Sequence, residues 1–285
     1  MEHIESSPPP RPSFPLHLCQ PDPGKSCAAC CGIYNFQDNS RRAVSERLLR
    51  NTLLLQDRND LDHLHDHSTR YRPLDNGRAK RFKTIFNCEF VGFLDSDHRR
   101  VGCLLHPGAN DARDLRHVSF YGRQLCDGHF CLSYYYLTED EQRLVVESIQ
   151  DWYLYGLIIT DIDLVKGIYQ ALSDTIGEGL RPASLQMPPI RKAIQTLWAW
   201  KLDWPWRRPG PDSFGKYLFQ GEDYREIRIP YRTLGRPVSA YDRILKSLGS
   251  SFRSAAELEA AEHQIQKGVE SVARLYEALF NRETL

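Results

Sequence analysis

The chain has 285 residues, with 37 Lys and Arg against 37 Asp and Glu, a formal net charge of +0 and 41% hydrophobic residues. Balanced charge excludes a global field that would gather nucleic acid or an acidic membrane and leaves room only for local patches. The length admits one large domain or two smaller ones around a substantial core.

Residues 1–18 are Pro-rich, with Glu2 and Glu5 ahead of Pro8-Pro9-Pro10, and carry neither the basic start nor the apolar run of a secretory signal. They are expected to form a flexible, extended arm. No stretch reaches the length of a membrane span; the most apolar one, Trp152 to Ile159, is short and bracketed by Asp151 and Asp161. The expectation is a cytoplasmic protein without a membrane partner, whose thiols stay reduced and serve as ligands rather than disulfide partners.

The eight cysteines are Cys19, Cys27, Cys30, Cys31, Cys88, Cys103, Cys126 and Cys131, and none follows position 131. Cysteines used as small core hydrophobes would scatter along the whole chain. In Cys27-Ala28-Ala29-Cys30-Cys31-Gly32, Cys27 and Cys30 are spaced to grip one ion from a single loop, while the adjacent Cys31 points elsewhere and invites a second metal or a cluster. Gln20-Pro21-Asp22-Pro23-Gly24 forces turns, so this half-site lies on irregular backbone whose N–H groups are free to donate to sulfur.

From an N-cap at Ser40, the positions Val44, Leu48, Leu49 and Leu53 predict an amphipathic helix to about Gln56. Asp57 to Asp66 reads as a polar loop, and His63, His65 and His67 as solvated rather than ligating. Between Arg70 and Lys83, six basic residues stand against Asp75 with Tyr71 and Phe82 interleaved. This reads as a solvated loop before a strand in preference to a phosphate contact, because no recognition motif accompanies it; nucleic acid is disfavoured as a partner. Thr84–Leu94 and Arg100–Leu105 are the two strand candidates, and a hairpin centred on Asp95-Ser96 sets Cys88 opposite Cys103. His106, three residues after Cys103, is a further candidate ligand. Cys126-Asp127-Gly128-His129-Phe130-Cys131 forms a second Cys loop, with His129 inside it.

Thr138 and Glu141 form a capping box for a helix to about Tyr155. Further helices are expected from Asp161 through Ser173, from Pro188-Pro189, and over Ser239–Leu248. Trp204 to Pro237 reads as an aromatic wrap across the helical layer. Ser254 and Glu257 form a second capping box for a long helix whose seam, Leu258, Ala261, Ile265, Gly268, Val272, Leu275 and Leu279, packs on this chain's own helices in preference to a partner. The fold class is mainly α with a small β-hairpin, a Cys-rich metal-stapled module at 19–135 packed on a helical region at 136–285.

The spacing Cys-x7-Cys-x2-Cys-Cys, then Cys-x14-Cys-x2-His, then Cys-x4-Cys resembles the YkgJ-type cysteine-cluster proteins, the zinc- or iron-chelating CxxCxxCC family. Cys19, Cys27, Cys30 and Cys31 fit its opening cluster, Cys88 and Cys103 its central pair, and Cys126 and Cys131 its closing pair. Seven residues separate the first two cysteines, more than in the compact family form, and His106-Pro107 stands where the family has Arg-Pro. The resemblance covers residues 19 to 131 and implies chelation of zinc or iron; some relatives, such as flagellin lysine methylases, carry the cluster within an enzyme.

The candidate ligands are therefore Cys19, Cys27, Cys30, Cys31, Cys88, Cys103, His106, Cys126, His129 and Cys131. Eight thiolates make two closed zinc sites, or four of them hold an iron–sulfur cluster. Three functions stay open: a metal-binding protein, an iron–sulfur enzyme of methyltransferase-like or redox type, and a zinc-stapled module presenting Arg70–Lys83 to a protein partner. No Gly-rich nucleotide loop and no Cys-x3-Cys-x2-Cys radical-SAM spacing occurs, and no catalytic residue is assigned.

Overall fold

A computed structural model describes residues 17–83, 85–209 and 227–280. The proline-rich arm before His17 and the aromatics Tyr217, Phe219 and Tyr224 lie outside the described residues. Helix α1 (Arg41–Leu54) begins where Ser40 accepts the N–H of Ala43 at 3.3 Å. Its buried face mixes Val44 and Leu48 with Arg47 and Asn51. The polar members serve a strand: Asn51 Nδ2 donates to the Val91 carbonyl at 2.9 Å, and Thr52 Oγ1 accepts from Phe93 N–H at 2.7 Å. Backbone groups of β1 (Val91–Phe93) that would otherwise be orphaned are thus satisfied by the helix.

Strand β1 pairs antiparallel with β2 (Val101–Cys103) in the register Val91↔Cys103, Gly92↔Gly102 and Phe93↔Val101. The expected hairpin is present but shorter, and its register differs: Cys103 faces Val91, and Cys88 lies ahead of the strand. The cause is a wider turn, in which Asp95 Oδ1 accepts the N–H groups of both Arg99 and Arg100.

The polar stretch expected as a loop is instead helix α2 (Leu61–Gly77), capped by Asp60 on His63 N–H at 3.1 Å. Its inward face is Leu64, His67 and Ser68, all buried. Polar residues at helical spacing conceal the period that apolar ones would reveal. The first part of the basic stretch, Arg70 to Gly77, therefore belongs to this helix.

Short helices α3 (Gly122–Gly128) and α4 (Ser133–Tyr136) bracket Cys131, so Cys126 is helical rather than on a loop. Helix α5 (Glu139–Ser148) carries both halves of the capping box at Thr138 and Glu141. It does not run on to Tyr155. Asp151, held by Arg41 at 2.7 Å, accepts Leu154 N–H at 2.8 Å and starts a new helix, α6 (Trp152–Ile159). Then come α7 (Ile162–Ile176, capped by Asp161), α8 (Pro182–Leu185), α9 (Pro188–Ala199), α10 (Asp242–Ser247) and α11 (Ala255–Phe280).

Helix α11 packs against α7 and α9 through Leu258, Ala261, Ile265, Val269, Val272 and Tyr276. The seam is satisfied within the chain as far as Val272; beyond it Tyr276 takes the buried position and Leu279, expected on the seam, is exposed. Ser254 caps it at 3.3 Å, but the Glu257 carboxylate accepts from Arg253 N–H at 2.8 Å, so only half of the second capping box forms. Trp204 and Tyr231 are buried in the same helical core, the position expected of a wrap.

The N-terminal half docks on these helices through Tyr34, whose hydroxyl donates to the Tyr153 carbonyl at 3.0 Å. Gly156 makes room for it, because a Cβ there would stand 2.3 Å from that hydroxyl. Among the described residues no helix is long and apolar enough to cross a membrane.

Candidate metal centre

The opening loop is fixed by its own polar groups. Asp22 Oδ1 accepts the N–H groups of Gly24 at 2.7 Å and Lys25 at 3.1 Å, and Cys27 N–H closes onto the Cys19 carbonyl at 2.9 Å. Ser26 exchanges hydrogen bonds with the backbone of Val101, donating at 2.7 Å and accepting at 2.5 Å, which ties the loop to β2. Ala29–Cys31 then makes one 3-10 turn ending at Gly32, whose φ is +80°. A Cβ at Gly32 would lie 2.7 Å from the Phe86 carbonyl oxygen.

That close approach joins the loop to the segment before β1. Asn87 Nδ2 donates to the Gly32 carbonyl at 2.6 Å, and Cys88 N–H to the Cys31 carbonyl at 3.0 Å. Fully buried Asn35 donates to Phe82, Ile85 and Asn87 and accepts from Phe82 N–H at 2.9 Å. Asn35 and Asn87 were invisible to sequence reasoning, because a buried asparagine leaves no periodic signal.

The thiols pack against three cores. Cys19, Cys27 and Cys131 touch the helical core, Cys88 belongs to the cluster of Leu55, Phe90, Leu104 and Leu115 that Cys31 and Cys103 also touch, and Cys27 and Cys31 both rest on the cluster of Ala29, Ile33 and Tyr34. Cys30 is an electrostatic neighbour of Cys19, Cys27, Cys31, Cys126 and Cys131. Burial pushes the Cys27 thiol well up, and Cys19, Cys30 and Cys131 add to it. Cys31 is raised by its hydrogen bond to Cys30, then by burial, with Cys88 and Cys103 contributing. Cys103 is pushed up to about 11 by burial, with Cys126 adding. Cys30, exposed at the surface, is the one thiol held below its ordinary value, because the Cys31 thiol and nearby backbone N–H groups point at its sulfur.

Backbone donors reach the buried sulfurs in a repeated pattern. Ala29 N–H donates to Cys27 Sγ at 3.4 Å. Backbone N–H groups also oppose the upward push of burial on Cys88 (from Phe90), Cys103 (from Leu105 and His106) and Cys131 (from Ser133 and Tyr134). An N–H aimed at sulfur stabilises the thiolate over the thiol.

Two buried cations lie in this region, Lys25 and Arg116, both paired with carboxylates. The Lys25 ammonium is paired with Asp22 and lies 5.6 Å from the centre of the Tyr155 ring, and that tyrosine adjoins Cys27, Cys19 and Cys131. Arg116, held by Asp114 at 2.7 Å and Asp127 at 3.0 Å, lowers both Cys103 and Cys126 against the upward push of burial. Beside Cys88, fully buried Glu89 accepts from Ser68 at 2.7 Å and Arg72 at 2.9 Å, and its Oε2 has no hydrogen-bond partner. Tyr134 places its hydroxyl 3.9 Å from Cys19 Sγ. Sequence reasoning gave none of these residues a place beside the thiols, and read Arg72 only as part of a basic stretch; Lys25 and Glu89, each close in sequence to a candidate ligand, were the traceable ones.

The candidate histidines stand apart. His106 is exposed and caps a 3-10 turn, its Nδ1 accepting Gly108 N–H at 3.1 Å. In that neutral tautomer Nε2 carries the proton, so neither nitrogen offers a lone pair. The pKa of His129 is lowered by burial. Among the described residues no group of three or more His, Cys, Asp or Glu side chains is close enough to hold an ion in this arrangement. Comparison with protein-family models, curated proteins and solved structures finds no match.

Proposed function

We propose that the chain coordinates zinc or iron through its cysteine thiolates. The observation that supports this reading most directly is that backbone N–H groups two or three residues further on oppose the burial that raises Cys27, Cys88, Cys103 and Cys131, the Ala29 N–H standing 3.4 Å from Cys27 Sγ. A buried neutral thiol needs no such donor, being a weak hydrogen-bonding group that packs as a small hydrophobe. A metal thiolate carries charge and does need one. Arg116, which lowers both Cys103 and Cys126, fits the same chemistry, since a thiolate zinc site is anionic and requires compensation when it is buried.

Thiolate softness selects zinc or iron over magnesium and calcium. Because no three ligands converge in the described arrangement, binding must draw the sulfurs inward and exchange their protons for the ion. The coordinated ion would staple loop-rich backbone, or supply electron transfer if it is an iron–sulfur cluster.

The test is purification of the full chain under anaerobic conditions, followed by metal analysis and absorption spectroscopy. Stoichiometric zinc without visible absorption supports a zinc protein, and broad visible absorption with iron and sulfide supports the cluster. A metal-free chain that takes up neither ion, and whose thermal unfolding is unchanged by a chelator, removes the proposal.

A further inference from the structure

We infer that a cavity beside α1 binds a small organic phosphate, held through the guanidinium groups of Arg47, Arg50 and Arg78. Bound metal plays no part in it.

The cavity measures about 600 Å³ and lies between α1, the segment 36–38 and the residues Arg78 and Ala79 that follow α2. Backbone pairing sets its rim: Phe36 forms an antiparallel bridge with Lys80, and Gln37 N–H donates to the Ala79 carbonyl at 2.9 Å. From α1, Ala43, Glu46, Arg47 and Arg50 line it, one stripe at the spacing i, i+3, i+4 and i+7. Small-molecule sites occupy about 300–1,000 Å³, and this one falls inside that range.

Arg47 is the reason to expect an anion. It is 3% exposed, and burying a guanidinium costs more than burying an apolar side chain of similar length. Its Nη2 donates to the Ile33 carbonyl at 3.1 Å, and its guanidinium carbon stands 4.2 Å from the centre of the Phe36 ring. Arg50, one turn on, donates to Asn51 Oδ1 at 2.9 Å and lies 5.2 Å from the centre of the Tyr71 ring. Guanidinium groups positioned in this way before a ligand arrives lose little freedom on binding it.

Two acids also line the cavity, and both are engaged. Glu46 accepts from exposed Arg42 at 3.2 Å, and Asp38 accepts Ser40 N–H at 3.1 Å. The three arginines therefore outweigh them. A phosphate fits this excess better than a carboxylate, because its additional oxygen and greater charge engage more than one arginine fork. The volume leaves room for an organic part against Phe36, Ala43, Val44 and Ala79.

The experiment follows thermal melting of the reduced full chain with inorganic phosphate, ribose 5-phosphate, adenosine monophosphate and glutamate at matched ionic strength. Titration calorimetry then measures the affinity of the organic phosphate with the larger effect. At least one of the two organic phosphates is expected to raise the melting temperature by ~2 °C or more, and further than inorganic phosphate does. Arg78→Gln, at an exposed position, is expected to weaken that binding about tenfold. Arg70→Gln, exposed on α2 and outside the lining, is expected to leave it unchanged.

Arg47→Met is expected to abolish the shift, with circular dichroism reporting whether the variant has folded. Should it be unfolded, Arg78→Gln and Arg50→Gln decide, and binding that survives both overturns the site. The absence of a shift with either organic phosphate overturns it too, as does a shift from glutamate alone. An equal loss of binding in Arg70→Gln would mark diffuse surface charge in place of a cavity site.

Discussion

The N–H of Cys88 donates to the carbonyl of Cys31 at 3.0 Å, and this one bond turns two cysteines far apart in sequence into neighbours on a shared piece of backbone. The donor lies just ahead of β1 and the acceptor at the end of the 3-10 turn. Everything that holds those two segments in place therefore also positions the candidate ligands.

Asn35 is the first such support. Its side chain makes four hydrogen bonds while fully buried, so Asn35→Ala strands several backbone groups at once. The expected loss is about 2–4 kcal/mol in urea unfolding, with weakened zinc uptake. Asn35→Ala with wild-type stability would show that the network is dispensable.

Gly32 is the second. At φ +80°, with the Phe86 carbonyl 2.7 Å from a built Cβ, Gly32→Ala incurs both backbone strain and a backbone clash. A loss of about 1–3 kcal/mol is expected. Calorimetry checks it, and a melting temperature within a degree of wild type, on the order of experimental scatter, would contradict the geometry.

His67 gives the fold a pH dependence. The imidazole is buried against Phe90, Nε2 lies 3.1 Å from the Glu89 carbonyl, and burial lowers its pKa. Because the folded value lies below the unfolded one, the contribution to stability is present above about pH 6.5, the unfolded value. It is lost as pH falls from there through the folded value, where the unfolded chain binds the proton more readily. His67→Gln should flatten the slope of stability against pH just below 6.5, as read by urea midpoints; an unchanged slope would assign the acid sensitivity elsewhere.

Lys201 and Asp161 form an ion pair at 2.6 Å in the helical core, 1% and 0% exposed. Lys201 also donates to the Ser247 carbonyl at 3.1 Å, and Asp161 caps α7. Lys201→Met leaves a buried carboxylate uncompensated and should cost about 3–5 kcal/mol. Adding Asp161→Asn should recover part of that loss. A double variant less stable than Lys201→Met alone would mean that the charge of Asp161 matters to α7 more than its pairing does.

Much of the helical architecture was legible in the sequence because its signals are local. Ser40, Thr138, Asp161 and Pro188 start helices where their chemistry places them, and the α11 seam reads directly as a buried face. Helix α2 was missed because its inward positions are His67 and Ser68 as well as Leu64. The break before α6 was missed because Asp151 acts through Arg41, far away in sequence. The cysteines were legible as a set, but their surroundings were not. Those depend on contacts between distant segments, such as the Cys88 to Cys31 backbone bond and the shared core under Cys27 and Cys31.

X-ray absorption at the metal edge of the zinc- or iron-loaded chain tests the central claim most directly. The account predicts a coordination shell of sulfur alone, at about 2.3 Å for zinc. A shell dominated by nitrogen or oxygen would contradict it, because the ion would then be held by groups other than the eight thiols.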